Sequence, residues 1–176
     1  ELHKQVELEL GNIADELDRG ILERVVAPLE HMLRNAVDHG IEPPAVRAAR
    51  GKPPTGTILL SAAQESNQVV ITLVDDGGGI DATEVRRRAL ERGLVRADEA
   101  LTDREAIQLI FTDGFSTART ITDVSGRGVG LDVVVRSMEQ LNGLIEAETI
   151  PGAGTKFTLQ LPLTLAIITV LMLEVG

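Results

Sequence analysis

Hydrophobic and polar positions change their period several times along the chain, and each change predicts an element. Val6, Leu8 and Leu10 alternate with Glu7 and Glu9, the period of two expected of a half-buried strand. From about Asp18 to Val37 the spacing becomes helical, with Leu22, Val25, Val26, Leu29, Leu33, Ala36 and Val37 on one face. Pro28 should kink or split this helix, because it lacks an N–H and crowds the preceding turn. Gly40 is the expected C-terminal cap. Residues 41–56 hold Pro43, Pro44, Pro53 and Pro54 and read as an irregular connection with room for one helical turn.

Two strands follow, about Thr57–Gln64 and Gln68–Val74, joined as a hairpin across Glu65-Ser66-Asn67. The second is apolar on both faces, which predicts a central place in the sheet. It runs into Asp75-Asp-Gly-Gly-Gly-Ile-Asp81, too rich in glycine for regular structure. Asp81 with Glu84, and Thr102 with Glu105, carry the capping signal of two further helices, ending near Arg92 and Phe111. Residues 112–127 lack periodicity, and unstructured stretches of that length in compact domains are often active-site lids. Gly128 should open a helix with Leu131, Val134, Met138 and Leu141 on one side, closed by Asn142-Gly143. Last come strands at about Leu144–Thr149 and Thr155–Leu161. In the final strand Thr155, Phe157, Leu159 and Leu161 face one way and Lys156, Thr158 and Gln160 the other. Such alternation suggests an antiparallel sheet with helices on one face, a two-layer α/β sandwich. Residues 163–176 form a second apolar run, too short to span a bilayer, and read as a linker plus the first strand of another domain.

Length and charge narrow the functions available. At 176 residues the chain makes one domain, residues 1–162 by this reading. A net charge of −10 leaves no basic stripe to neutralise nucleic-acid phosphates. A nucleotide can still bind if Mg²⁺ and backbone N–H groups handle its phosphates. Cysteine, Trp and Tyr are absent, which rules out thiolate metal sites and stacking of bases on those rings. With no signal peptide and no apolar run near 20 residues, the expected compartment is the cytoplasm and no membrane insertion is expected.

The chemistry gathers in three places. Wound at about 100° per residue, His31, Asn35, Asp38 and His39 share one stripe of the long helix, opposite its apolar side. Asp75 closes a buried strand, where a carboxylate can accept from the exocyclic amine that separates adenine from guanine. Gly77 and Gly79 would let backbone approach the ring without Cβ collisions. Ser125-Gly-Arg-Gly-Val-Gly-Leu131 opens a helix and so directs free N–H groups and a positive dipole end at one spot, an anion site. It is neither a P-loop nor a dinucleotide fingerprint.

In order, His31-x-x-x-Asn35-x-x-Asp38-His39, Asp75-x-Gly77-x-Gly79, Phe111-x-x-x-Phe115, Gly126-x-Gly128-x-Gly130 and Gly154-Thr-x-Phe157 resemble the N, G1, F, G2 and late Gly-Thr-x-Phe elements of the GHKL ATPase and kinase superfamily. The resemblance spans about residues 1–162. It implies a Bergerat-type α/β sandwich with a mixed, mostly antiparallel sheet. In the hydrolysing gyrase, MutL and Hsp90 types a Glu four residues before the Asn orients water. This chain has His31 there, which favours transfer to a protein side chain over hydrolysis. His31-Met-Leu-Arg-Asn-Ala-Val-Asp-His-Gly-Ile-Glu-Pro43, Gly51-Lys-Pro-Pro54, Gly114-Phe-Ser-Thr-Ala118 and Leu161-Pro-Leu-Thr-Leu-Ala-Ile167 are similar to the kinase domain of chemotaxis histidine kinases of the CheA type. Gly78 departs from them, standing where Arg or Ala is usual.

That resemblance implies a cofactor set of ATP and Mg²⁺. Asn35 and His31 would serve as the catalytic pair that holds the metal, although His is a less usual magnesium ligand than Asn. Nucleotide contacts are implied for Asn35, Asp38, His39, Asp75, Gly77, Gly79, Ile80, Phe111, Ser125, Gly126, Arg127, Gly128, Val129, Gly130, Leu131 and Thr155. Lys52 and Arg34 are candidate charge partners, each with a surface position as the ordinary expectation. The acceptor would be a histidine on a separate phosphotransfer domain, since His3, His31 and His39 lack an acceptor setting. Response regulators, a coupling protein and a chemoreceptor array are the implied partners, with a monomeric domain in a homodimeric parent. The tail at 163–176 would begin a regulatory, coupling-protein-like domain. Two other readings stay open: a slow ATPase clamp closed by nucleotide, and a non-catalytic docking module.

Overall fold

The structure, a computed structural model, describes residues 4–13, 19–115 and 131–163. In chain order the elements are β1 (Gln5–Ile13), α1 (Arg19–Asn35) with a π turn (Ala36–Gly40), α2 (Pro44–Ala49), β2 (Thr55–Glu65) and β3 (Gln68–Asp75). Then come α3 (Ala82–Glu91), α4 (Asp103–Gln108) with a 3₁₀ turn (Leu109–Phe111), α5 (Leu131–Gln140), β4 (Leu144–Ile150) and β5 (Gly154–Pro162).

The sheet order is β1-β2-β3-β5-β4. β1 pairs parallel with β2, and the remaining pairs are antiparallel. β3, apolar on both faces, lies at the centre. One sheet face supplies Ile58, Ala62, Val69, Ile71, Leu73, Phe157, Leu159, Leu161 and Ala147 to a core completed by α1, α3, α4 and α5. Residues of the opposite face, such as Leu59, Val70, Thr72, Thr158 and Gln160, are only partly covered. This is the two-layer α/β sandwich expected from the alternation in β5. Each fully buried aliphatic side chain contributes about 1.5–3 kcal/mol. Helices as short as α3 and α5 are marginal alone in water, so this burial, rather than propensity, holds them.

Four expectations are corrected. β1 forms, but Leu8 and Leu10 are 50% and 65% exposed. They share the core-facing side of the sheet yet stand on an edge strand beyond the described helix layer; only Val6 packs against the core. Second, Pro28 does not split α1, which continues through it as one helix; the residue is buried, so its packing offsets the lost backbone bond. Third, the buried stripe of α1 is Ile21, Val25, Pro28 and Met32, while Leu22 and Val26 are exposed. The helix carries more apolar surface than the sheet can cover, so composition alone could not orient it. Fourth, Gly40 is not a left-handed cap; among the described glycines with positive φ it does not figure. Its carbonyl serves a close contact instead, accepting from the Gly78 N–H at 2.9 Å.

The helix ends follow local chemistry. Thr102 and Glu105 complete a reciprocal capping box. Asp81 caps α3 by accepting from the Thr83 N–H, but Glu84 turns away to Arg87 and Arg88. Asn142, at φ 49°, takes the left-handed position that ends α5, and the Gly143 N–H returns to the Met138 carbonyl at 2.8 Å.

Candidate functional site

His31 and Asn35 lie half-buried on the last two turns of α1, and the Asn35 side chain makes no cap hydrogen bond. The stripe read from ideal helical spacing ends there. Residues 36–40 wind as a π turn, in which the Ile41 N–H reaches back five residues to the Ala36 carbonyl at 2.7 Å. Asp38 and His39 therefore leave the ideal-helix register and are exposed. The two carbonyls of Val37 and Asp38 accept from Lys4 Nζ at 2.9 and 2.7 Å. An ammonium from ahead of β1 thus satisfies acceptors that the end of a helix leaves open.

Asp75 is the last residue of β3 and points from the core-facing side, 3% exposed, opposite Ile58 and Thr155. Its Oδ1 accepts from the Gly77 N–H at 2.9 Å. Burial pushes its carboxyl above the ordinary value of 3.8, against the N–H groups of Gly77 and Thr155, which pull it down. A Cβ on Gly40 would lie 3.4 Å from Asp75 Oδ1, and one on Gly77 would lie 2.2 Å from the Gly40 carbonyl oxygen. The end of the helix and the acidic turn are therefore in direct contact, and only glycine fits at position 77.

The far side of the turn is fixed by the β4–β5 connection. The Ile80 N–H donates to Thr149 Oγ1 at 2.8 Å, and that hydroxyl donates to the Gly154 carbonyl at 3.0 Å. Thr155 Oγ1 is 3.3 Å from the same hydroxyl. Gly154, at φ 125°, has no room for a side chain, since its Cβ would meet the Asp75 carbonyl at 1.9 Å.

Beneath the turn lies an ion network. Arg47, wholly buried, donates to Asp76 Oδ1 and Oδ2 at 3.1 and 2.7 Å, to Glu42 Oε2 at 3.3 Å and to the Pro53 and Thr55 carbonyls. Lys52 Nζ donates to Glu42 Oε1 at 3.1 Å and to the carbonyls of Asp76 and Gly77. Burial raises both carboxyls, but backbone N–H groups and the cationic donors together outweigh it and hold Asp76 and Glu42 below their ordinary values. Paired in this way, buried charges are tolerated; an unpaired one is costly.

The site residues read from the sequence divide into three groups. Asp75, Gly77, Gly79, Ile80 and Thr155 are brought together around one turn, which meets at Gly40 the helix end that carries His31, Asn35, Asp38 and His39. Phe111 instead packs edge-on against Phe157, ring centres 6.3 Å apart, half-buried in the core, and Leu131 likewise packs on the core. Ser125, Gly126, Arg127, Gly128, Val129 and Gly130 lie outside the described residues, as do 116–127 of the expected lid and the tail from 164. Lys52 is no ordinary surface residue, since its ammonium is enclosed by three oxygens. Arg34 is exposed. Thr149, Arg47 and Lys4 carry no motif, and Glu42 lies inside the stretch 31–43 without a role legible there; their contacts reveal them.

Among the described residues no group of three His, Cys, Asp or Glu could hold a metal ion. Asn35 offers one neutral oxygen and His31 one imidazole. That donor set suits a magnesium ion taking its remaining ligands from phosphates and water, and it would not hold a resident cation alone.

Helix end, acidic turn and five-stranded mixed sheet together define the class. The chain belongs to the histidine kinase-, DNA gyrase B-, and HSP90-like ATPase family, whose model matches residues 24–165. It is 49% identical over its whole length to chemotaxis protein CheA of Treponema pallidum, and 45% identical over 99% of its length to chemotaxis protein CheA of Bacillus subtilis. The chain spans 22% and 26% of those relatives. The histidine kinase domain of an Erythrobacter litoralis blue-light activated histidine kinase shares the fold, with a TM-score of 0.52 at 16% identity over 92% of this chain and 57% of that one. So does the catalytic domain of histidine kinase ThkA, with a TM-score of 0.52 at 16% identity over 89% of this chain and 78% of that one.

Proposed function

We propose that this chain is the ATP-binding catalytic domain of a chemotaxis histidine kinase, transferring the γ-phosphoryl of ATP to a histidine on a separate phosphotransfer domain. The observation that carries the reading is Asp75, a buried carboxylate at the end of a central strand, ringed by glycines whose missing side chains let backbone close around it. Family membership and the CheA relatives support it.

On this reading Asp75 accepts from the adenine exocyclic amine, with Thr155 beside it on β5. Gly77 and Gly79 keep side chains out of the ring's path, and Ile80 offers an apolar contact. Asn35, with His31, would hold magnesium, which when bound neutralises charge between the phosphates. Asp38 and His39 lie exposed on the π turn, within the same helix end. The Ser125–Leu131 stretch would give backbone N–H groups to the phosphates. His31 stands where a hydrolysing relative would place a carboxylate, so water lacks a general base and a protein histidine is the better acceptor.

Residues 1–162 would form this domain and 163–176 would lead into a regulatory, coupling-protein-like one. Response regulators, a coupling protein and chemoreceptors would be partners of a homodimeric parent in the cytoplasm. Among the described residues no helix is long and apolar enough to cross a membrane.

The test mixes this chain with the parent's phosphotransfer domain and γ-labelled ATP. Acid-labile phosphohistidine on the acceptor domain is the expected product. Release of inorganic phosphate at the same rate with and without that domain would replace this reading with an ATPase.

A further inference from the structure

The charged side chains between the π turn and β2 have no part in the function as described so far. Lys52 stands out among them. Its Nζ donates to the Gly77 carbonyl at 2.6 Å, the Asp76 carbonyl at 2.8 Å and Glu42 Oε1 at 3.1 Å, and its side chain is 16% exposed. An ammonium has three N–H donors and no acceptor, so all three are engaged within the protein. None remains for a phosphate.

The two carbonyls belong to consecutive peptide units, whose N–H groups are those of Gly77 and Gly78. A trans peptide is planar, with N–H and C=O directed oppositely. Holding both carbonyls on one side therefore turns both N–H groups to the other. The Gly77 N–H meets Asp75 Oδ1 at 2.9 Å, and the Gly78 N–H meets the Gly40 carbonyl at 2.9 Å. Arg47 shares the first of these carbonyls, donating to the Asp76 oxygen at 3.2 Å, and holds the Asp76 side chain from below through both carboxylate oxygens, which leaves the Gly77 carbonyl to Lys52.

We propose that Lys52 is a positioning residue for adenine recognition: its ammonium sets two peptide planes of the 75–79 turn and, through the Gly77 N–H, the orientation of the Asp75 carboxylate. This rests on the ATP reading given above. A phosphate contact, the usual role for a lysine near a nucleotide, is disfavoured because its donors are already engaged.

Lys52→Met keeps the stem and removes the donors. Calorimetry of wild type and variant with ATP, AMP and adenosine should show weakening by one common factor, about tenfold or more, because the lost interaction acts on the base alone. Loss of affinity for ATP with adenosine unaffected would overturn the proposal in favour of a phosphate contact. Unchanged affinity for all three would overturn it outright. Hydrogen exchange supplies a ligand-free measurement. In Lys52→Met the Gly77 and Gly78 amides should exchange on the order of tenfold faster while central β3 amides keep their protection. Equal acceleration throughout β3 would mean general destabilisation and contradict a positioning role. A wild type that binds no adenine compound would overturn the ATP reading, whereas the exchange pattern would still report whether Lys52 sets the turn.

Discussion

The Gly78 backbone N–H donates to the Gly40 carbonyl at 2.9 Å, joining the end of the long helix to the acidic turn that follows the central strand. Two sequence motifs about 40 residues apart are thereby made one surface, and the fit depends on which glycines are crowded. Gly77→Ala would drive a Cβ to 2.2 Å from the Gly40 oxygen, whereas at Gly78 the nearest atom is 3.5 Å away, on Arg50.

Gly77→Ala should therefore destabilise by roughly 1–3 kcal/mol, the usual range for overpacking. Gly78→Ala, with room for its methyl and no positive φ, should stabilise by about 0.4–1 kcal/mol through the unfolded chain. Urea denaturation of the two variants checks the pair, and equal effects would refute the packing argument.

Asp75→Asn should weaken adenine-nucleotide binding ten- to a hundredfold, about the value of a hydrogen bond to a charged group. The fold should survive, since the amide matches the carboxylate in size and removes a buried charge. In the wild type, adenosine affinity should be full above the raised pKa of Asp75 and fall as pH drops through it. The Asn variant should lack that dependence in a calorimetric pH series.

Asp76 and Glu42 behave oppositely. Their folded values lie below the ordinary 3.8 and 4.5, so the unfolded chain takes up protons first as pH falls. Their contribution to stability is full above those ordinary values and is lost as pH drops through the depressed folded ones. Asp75, raised in the fold, opposes folding once pH exceeds its own range. Denaturant midpoints between pH 6 and about pH 3 should fall for wild type and fall less for Asp76→Asn.

Arg47→Met should be among the most damaging changes, on the order of 3–5 kcal/mol, because it leaves Glu42 and Asp76 without their buried partner. Adding Glu42→Gln and Asp76→Asn should recover part of the loss, a coupling that a thermal-melt cycle measures.

Most elements were legible because their signals are local: the period of two in β5, the hairpin around Ser66, the capping box at Thr102. What escaped depends on contacts distant in sequence. The π turn at 36–40, which ends with Gly40 beside Asp75, is a departure that helical spacing cannot express. Arg47 and Thr149 belong to no motif, and Lys52, in the stretch 51–54, could be read as a candidate charge partner but not as a brace of the turn. Leu8 and Leu10 carry a core-facing pattern on a strand whose edge position only the assembled sheet reveals. For the candidate site, the glycines and Asp75 could be read as chemistry, but the scaffold that aims them could not.

The most direct measurement is a crystal structure of this chain with magnesium and a non-hydrolysable ATP analogue. The account predicts the adenine amine within hydrogen-bonding distance of the Asp75 carboxylate and the metal beside Asn35. A nucleotide seated away from the 75–79 turn would contradict it.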